Sequence, residues 1–256
     1  MLTSLRSGEP ERDGNFDHFS MDLITRLGPD VHADLVWTNP LGGRTYRLER
    51  PEAAEYLKVA PADAPPSHHP AAEAQRLAWI GSRVRVPEVL DSGRDPRGSW
   101  LRTRELPGIP ASDLRWRDDP RGTASLLGRA VRRFHDALTS AVPDCPWSWR
   151  IADRVAARRS PQVERRARSA PPELDLVVGH GDLCAPNILL TDSPNETGYL
   201  DLGKLGVADR AADLGCHMWS LEYNQLDAHI DEFLDTYGFE GDRDAVRWYR
   251  DFYEVA

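Results

Sequence analysis

Two neighbouring stretches, VVGHGDLCAPNILL at residues 177–190 and GYLDLG at residues 198–203, decide how this chain folds. In each, an apolar run meets a polar turn, and short apolar runs bounded by turn residues are typical of buried strands. A segment containing Ser, Pro and Asn separates the two stretches and predicts a chain reversal. Asp182, Asn187 and Asp201 therefore fall at predicted strand ends, where loops carry functional side chains.

These three side chains fit the chemistry of phosphoryl transfer. An ionised aspartate only accepts hydrogen bonds, so Asp182 can orient a hydroxyl group and take its proton. Asn187 and Asp201 offer hard oxygen ligands, which Mg²⁺ prefers together with water and phosphate oxygens. Protein kinases have the same spacing from the catalytic acid to the asparagine of the catalytic loop. The alternative is that all three are ordinary turn residues, but their order and spacing favour a functional set.

The chain resembles the aminoglycoside phosphotransferase family, antibiotic kinases whose fold is like that of eukaryotic protein kinases. The resemblance begins near residue 35 and is most specific in HGDLCAPNILL, in LDLGKLGVADRAADLG from residue 200, and in PGIPASDL from residue 107. It implies an α+β, protein-kinase-like fold with two lobes. Residues 1–106 would form a small nucleotide-binding lobe, an antiparallel sheet with one helix. Residues 107–256 would form a larger, mainly helical lobe with the catalytic and acceptor-binding groups.

The resemblance also implies an activity and its cofactors. The protein would move the γ-phosphate of ATP or GTP to a hydroxyl group of a small antibiotic, for which an aminoglycoside is the expected acceptor. Asp182 would be the catalytic base, and Asn187 and Asp201 would bind the magnesium ions, of which two are expected.

Four residues of the predicted small lobe are expected to contact the nucleotide phosphates. Gly42 and Gly43 lie in a turn between two predicted strands, where glycine lets the backbone approach a phosphate, although paired glycines also occur in ordinary hairpins. Lys58 lies in the next predicted strand and Glu73 in the helix that follows. By resemblance these two would form the lysine–glutamate ion pair of kinases, whereas an isolated strand lysine is usually a solvated edge charge.

The predicted connection between the lobes includes Glu105 and Leu106. By resemblance, their backbone groups would hydrogen-bond the purine base of the nucleotide. Because this recognition uses the backbone, the side chains do not distinguish ATP from GTP.

The composition indicates which partners and which cellular location to expect. With 32 basic and 41 acidic residues the net charge is −9, which argues against nucleic acid as a partner and suits a cationic small substrate. The sequence has no apolar run of about 18 residues and no signal-peptide core, so we expect a cytoplasmic protein without a membrane partner. Its three cysteines are widely spaced, which fits neither a disulfide framework nor a zinc site. Either a monomer or a dimer is compatible with the sequence.

The acceptor side is the part where the sequence departs from the family. Asp213, Trp219, Glu254 and the terminal carboxylate of Ala256 are expected to bind the acceptor, but Trp219 stands where relatives tend to have arginine. Residues 150–168 contain seven arginines and two acids, where such kinases have a longer, acidic segment. Charge runs are usually solvated helix faces, which is the reading we favour here. The other reading is an acceptor that is not a polyamine.

Three further functions stay open at this point. The same chemistry could act on a nucleoside or peptide antibiotic, or on another small hydroxyl compound. A pseudokinase that binds nucleotide without chemistry is disfavoured because all the kinase-type residues named above are present. Metal-dependent hydrolysis would need a cluster of His or carboxylate ligands, and the only two adjacent histidines are His68 and His69.

Several expectations concern the elements themselves. Residues 1–20 are polar and expected to be mobile, and a short helix is expected from residue 21. Residues 84–90 are predicted to form a strand, with a turn at residues 92–96. Apolar residues at three- and four-residue spacing predict an amphipathic helix at residues 123–139.

Overall fold

A computed structural model describes residues 14–29, 31–158, 160–191 and 196–255. The described chain forms two compact units. The first contains the described residues up to Ala71 together with Val89–Glu105, and the second contains Ala72–Glu88 and the chain from Leu106 onward.

The first unit is a five-stranded antiparallel sheet with a helix packed on it. The strand order is β1-β2-β3-β5-β4. In chain order, the elements from the first helix to the fifth strand are α1 (Gly14–Arg26), β1 (Ala33–Thr38), β2 (Arg44–Leu48), β3 (Glu55–Pro61), α2 (Pro70–Ile80), β4 (Val89–Asp95) and β5 (Gly98–Arg104). Most of α2 groups with the second unit.

Helix α1 begins earlier than expected. Phe19 and Leu23 lie one turn apart on one face of α1 and pack against the buried Leu48 and Leu57 of the sheet. Burial of this apolar face stabilises a helix through residues 14–20. The polar composition of the segment did not indicate this helix. The prediction that residues 14–20 are mobile is therefore wrong.

The fourth strand is also shifted from its predicted position. β4 runs to Asp95, so the turn predicted at residues 92–96 lies mostly inside the strand. Gly93 lies opposite Trp100, whose indole N–H donates to Asp91, and Asp95 accepts from the backbone N–H of Arg97. These contacts extend the pairing of β4 with β5 as far as the tight two-residue connection between the two strands.

The second unit is mainly helical and contains two small antiparallel sheets, one of β7 and β10 and one in the order β6-β8-β9. Besides most of α2, its elements are β6 (Ile109–Pro110), α3 (Pro120–Leu138), α4 (Ile151–Arg158), α5 (Pro161–Ala167), β7 (Leu176–Gly179), β8 (Ile188–Leu190), β9 (Gly198–Tyr199), β10 (Gly206–Asp209), α6 (Arg210–Tyr223), α7 (Ile230–Tyr237) and α8 (Arg243–Val255). Among the residues that the structure describes, no helix has both the length and the apolar character needed to cross a membrane.

Helix α3 is the amphipathic helix that the sequence predicted. Asp119 caps its N-terminus by accepting from the backbone N–H of Gly122, and a proline occupies the first turn. Leu127, Val131 and Phe134 are fully buried along its apolar face. This face supports the strands that lead into the candidate site, because Tyr199 of β9 donates its hydroxyl to the Ala130 carbonyl of α3.

The basic segment forms α4 and α5, and part of its charge is not solvated. Arg154 is buried, with its guanidinium over the rings of Trp149 and Phe252. Arg166 donates to Asp251 over 2.8 Å. For Arg154 the expectation of a solvated face is wrong, because its planar guanidinium group is stacked on aromatic rings instead of facing water, whereas Arg166 stays partly exposed in its pair with Asp251.

Candidate active site

The loop that follows β7 has a backbone conformation that requires glycine. Gly181 has a φ angle of +81°, and a Cβ atom there would lie 2.5 Å from the carbonyl oxygen of Lys204. Before it, His180 is completely buried; its Nε2 donates to the Leu200 carbonyl, and its Nδ1 accepts from the backbone N–H of Asp182. Burial lowers the pKa of His180, so the imidazole is neutral and both nitrogens hold the loop.

Asp182 lies between two donors. Its Oδ2 accepts from Lys204 Nζ over 2.9 Å, and its Oδ1 accepts from the Tyr253 hydroxyl over 2.5 Å. Burial lowers the pKa of Lys204, but the charge and hydrogen bond of Asp182 outweigh burial and raise it overall. Lys204 therefore stays protonated beside the carboxylate. The Asp182 side chain is 19% exposed, so it can still meet a substrate.

Asn187 and Asp201 are brought together by strand pairing. The Asn187 carbonyl accepts from the backbone N–H of Leu200, which directly precedes Asp201. The Asn187 Nδ2 donates to the Asp182 carbonyl over 2.9 Å, which fixes the amide so that its oxygen is the atom left for a ligand. Asp201 follows with a left-handed φ of 63°. An amide oxygen and a carboxylate from two paired segments form a hard donor set that fits Mg²⁺.

Glu73 lies next to this pair within the second unit. Its Oε1 accepts from the backbone N–H of Leu202 over 3.2 Å, and its side chain is buried. On the same helix, Arg76 Nε donates to the Leu205 carbonyl over 3.0 Å. Helix α2 therefore braces the segment after Asp201.

One face of α6 holds the loop at residues 180–185, which contains Asp182 and which we name the catalytic loop for the role expected of that residue. Asp213, His217 and Ser220 recur at four- and three-residue spacing, so they lie on the same side of the helix. Asp213 accepts from the backbone N–H groups of His180 and Gly181, and His217 Nδ1 donates to the Leu183 carbonyl over 2.8 Å. Ser220 Oγ accepts from the backbone N–H of Ala185 over 2.9 Å. We define these three side chains as the α6 polar stripe.

Asp213 is buried, and its carboxylate holds the groups around it in place. Its Oδ2 also lies 3.1 Å from His135 Nε2. Burial alone would raise the pKa of Asp213, but the hydrogen bonds from His135 and His180 lower it to about 2. Because both oxygens already accept bonds and the side chain is buried, the structure does not support the predicted contact of Asp213 with substrate.

Sequence reasoning missed His217, Ser220 and Tyr253. Polar side chains at helical spacing in an otherwise apolar helix were a usable signal for the first two. Nothing near Tyr253 in the sequence connects it with Asp182, from which it is separated by 71 positions.

An aromatic group that includes Trp219, a predicted acceptor contact, lies beside the catalytic loop. Trp219 stacks on Tyr223 with ring centroids 5.4 Å apart, and it contacts Tyr253 at 5.3 Å. Glu254 is 57% exposed, but its Oε2 accepts from Arg250, which also binds Glu222. The predicted contact at Ala256 lies outside the described residues.

In the first unit, Lys58 lies on a central strand. β3 pairs with β2 on one side and β5 on the other, placing Lys58 opposite Thr45 and Leu101. It is therefore not the edge charge that an isolated strand lysine usually is. The turn between β1 and β2 contains Gly42, with a φ of +80°, and Gly43, whose N–H donates to the Asn39 side chain.

Glu105 ends the first unit, and its groups already have partners there. Its backbone N–H donates to the Ala54 carbonyl over 2.8 Å, and its carboxylate accepts from Arg47 and Tyr56. The backbone carbonyl oxygen of Glu105 is thus the group that could accept a hydrogen bond from an amino group of the purine base. Leu106 begins the second unit and packs beside Gly198 of β9.

His69, the second of the two adjacent histidines, has a side-chain partner within the first unit. His69 Nδ1 lies 2.9 Å from Ser99 Oγ, and the His69 side chain is buried. Within the described ranges, no group of three or more His, Cys, Asp or Glu side chains is placed to hold a metal ion.

Comparisons with known proteins agree on one family. The model of the phosphotransferase enzyme family matches residues 39–249. An aminoglycoside 3'-phosphotransferase of Streptomyces fradiae is 33% identical, over 77% of this chain and 84% of that protein. A streptomycin 3''-kinase of Streptomyces griseus is 35% identical, over 77% and 83%. The structure of an aminoglycoside phosphotransferase from Streptomyces rimosus in complex with ADP and streptomycin has a TM-score of 0.70 and 26% identity, covering 93% of this chain and 98% of that one.

Proposed function

Because this chain belongs to the phosphotransferase enzyme family that includes the aminoglycoside 3'-phosphotransferases, we propose that it transfers the γ-phosphate of ATP or GTP to a hydroxyl group of an aminoglycoside. The observation that carries this proposal is the Asp182 carboxylate, held beside the cation of Lys204 and next to the oxygen pair of Asn187 and Asp201. This arrangement offers a base, a fixed positive charge and a magnesium site within one loop region.

In the proposed mechanism, Asp182 accepts the hydrogen bond of the acceptor hydroxyl, aligns its oxygen for attack and receives its proton. Asn187 and Asp201 would hold magnesium, which supplies charge neutralisation for the phosphates when it is bound. Lys204 keeps the carboxylate in place. Catalysis of this type depends mainly on positioning and on neutralised charge, so a fixed loop backbone is part of the catalytic apparatus.

We propose nucleotide contacts for the same residues that the family resemblance indicates. Residues 1–106 would act as the nucleotide-binding part and residues 107–256 as the catalytic and acceptor-binding part. Lys58, supported by Glu73, would bind the α- and β-phosphates, and the turn at Gly42 and Gly43 would contact them through its backbone. The backbone at Glu105 and Leu106 would bind the purine. We place the reaction in the cytoplasm, where both substrates would be available.

On the acceptor side, Trp219, Glu254 and the terminal carboxylate of Ala256 are the proposed contacts. A ring face can bind an ammonium group, so Trp219 is compatible with an aminoglycoside. One observation favours the second candidate, a nucleoside or peptide antibiotic or another small hydroxyl compound: Glu222 and Glu254 are both paired with Arg250. Paired acids attract the amines of a drug less than unpaired acids do.

The test is transfer of labelled γ-phosphate from ATP and GTP to a panel of aminoglycoside, nucleoside and peptide antibiotics, with and without Mg²⁺. We expect magnesium-dependent label on at least one aminoglycoside. Label only on a nucleoside or peptide drug would establish the second candidate. Nucleotide binding without label on any compound would instead favour the pseudokinase.

The matched variant is Asp182→Ala. It should lower kcat about 100-fold or more, the usual range for a general base, and leave nucleotide affinity within about twofold. If kcat stays near that of the unmodified enzyme, the assignment of Asp182 as the base is wrong.

A further inference from the structure

Tyr253 lies in the last turn of α8 and brings its hydroxyl to the carboxylate of the catalytic loop. The phenolic O–H donates to Asp182 Oδ1 over 2.5 Å. A general base must lie within hydrogen-bond reach of the hydroxyl whose proton it removes. The phenol therefore has the position relative to Asp182 that the hydroxyl group of an acceptor must have. Lys204 donates to the other carboxylate oxygen.

We propose that Tyr253 fills the acceptor-hydroxyl position of the resting enzyme, and that an acceptor binds by exchanging its own hydroxyl for this phenol. The inference rests on the proposed function, since it takes Asp182 as the base for a hydroxyl acceptor. A phenol is a suitable occupant because, like an alcohol, it donates one hydrogen bond to an ionised carboxylate. Burial raises the pKa of Tyr253 and the charge on Asp182 raises it further, so the hydroxyl keeps its proton.

The surroundings of Tyr253 allow it to leave Asp182. It lies two residues before the last helical residue, Val255, and the terminal turns of helices open at low cost. The neighbouring Phe252 is fully buried and anchors the rest of α8. The exchange therefore requires rearrangement of the last turn only.

The space next to Tyr253 is lined by rings. The Tyr253 ring is tilted by 55° against Trp219, and Tyr223, stacked on the same indole, is 75% exposed. A displaced phenol could remain in contact with this aromatic group instead of entering water.

Two consequences follow for the reaction. A phenol on Oδ1 keeps water from the position in which Asp182 could activate it, and this limits hydrolysis of the nucleotide when no acceptor is present. An acceptor must also compete with the phenol, which weakens its apparent affinity by the fraction of enzyme in which the position is filled.

The test compares Tyr253→Phe with the unmodified enzyme and with Tyr249→Phe, which removes a hydroxyl from the preceding turn of the same helix. For Tyr253→Phe we expect the rate of ATP hydrolysis without acceptor to rise about five- to tenfold. The KM of the acceptor should fall by a similar factor, because the variant loses the one charge-assisted hydrogen bond with which the acceptor competes. The kcat of transfer should stay within about twofold. Tyr249→Phe should change none of these values.

Two results would overturn the inference. A large fall in kcat with an unchanged KM would mean that Tyr253 orients Asp182 during catalysis. Equal rates of ATP hydrolysis in the variant and the unmodified enzyme would mean that the phenol excludes no water. If the unmodified enzyme phosphorylates no aminoglycoside, the proposed acceptor is wrong, but the hydrolysis comparison still decides the role of Tyr253 because it needs only ATP, Mg²⁺ and water.

A spectroscopic measurement gives an independent readout. In enzyme labelled with ¹³C at the ζ-carbon of tyrosine, the Tyr253 signal is the one that Tyr253→Phe removes. It should shift in Asp182→Asn and should move in the same direction when the acceptor saturates the unmodified enzyme. A signal that does not move on acceptor binding would contradict the exchange.

Discussion

Lys204 Nζ lies 2.9 Å from Asp182 Oδ2, so the carboxylate of the catalytic loop has a partly buried cation as its permanent neighbour. Breaking such a pair by removing one member leaves a poorly solvated charge behind. Lys204 and Asp182 therefore act together, and each is needed for the position of the other.

The first prediction concerns this pair. Lys204→Met should lower kcat by about 10- to 100-fold, because Asp182 loses the donor that fixes its orientation. Nucleotide affinity should stay within about twofold. The measurement is steady-state transfer together with nucleotide binding by calorimetry. Lys204→Arg keeps the charge and is the matched control, so an equal loss in both variants would show that packing, and not charge, matters at this position.

The second prediction concerns the α6 polar stripe. Ser220→Ala leaves the buried backbone N–H of Ala185 without its acceptor and should lower the free energy of unfolding by about 1–3 kcal/mol. Because the freed backbone belongs to the catalytic loop, kcat should also fall. Urea unfolding and steady-state kinetics measure the two effects. Ser125→Ala on α3, where the hydroxyl accepts from the exposed Arg129 and, over 3.3 Å, from Thr236 of α7, should lower both values less, because neither donor is a buried backbone group.

The third prediction concerns acid stability. Burial lowers the pKa of His217 to about 4, so the folded protein holds this imidazole neutral. Between pH 6.5, where an unfolded histidine is half protonated, and about pH 4, the unfolded state binds more protons, and stability should fall as the pH falls. This one group contributes a loss of about 3 kcal/mol. The lowered pKa of His180 acts in the same direction.

His217→Asn is the variant that isolates this effect, since its amide can donate to the Leu183 carbonyl without titrating. Its free energy of unfolding should fall less steeply between pH 6.5 and pH 4 than that of the unmodified protein. Identical slopes would contradict the assignment. Asp213, with its pKa lowered to about 2, stabilises the fold at neutral pH, and its contribution should be lost only as the pH falls from 3.8 toward 2.

The fourth prediction concerns the close approach of α6 and α8. A Cβ atom on Gly215 would lie 2.6 Å from the backbone nitrogen of Arg250, and backbone atoms cannot move aside as a flexible side chain can. Gly215→Ala should therefore destabilise the protein by about 1–3 kcal/mol. In a helix without this contact the same change stabilises by up to about 1 kcal/mol, so a rise in melting temperature would disprove the close packing.

Much of the fold and part of the candidate site could be predicted from the sequence. The family and the α+β, kinase-like fold class are confirmed by the matches in sequence and structure. The amphipathic helix α3 was predictable because apolar periodicity follows directly from helix geometry. The extension of α1 to Gly14 was not, because that helix is stabilised by burial of Phe19 against a sheet formed by distant residues.

What the sequence by itself determined is the order and spacing of the groups that could perform the chemistry, Asp182, Asn187 and Asp201. Phosphoryl transfer needs particular functional groups, and their spacing along one loop and its neighbouring strand is a local property that the sequence records directly. Only the tertiary structure decided that Asp213 is a buried brace, that Glu254 is paired with Arg250, and that Tyr253 meets Asp182. Burial and pairing depend on which elements pack together, here α6 with both the catalytic loop and α8, and a linear pattern does not contain that information.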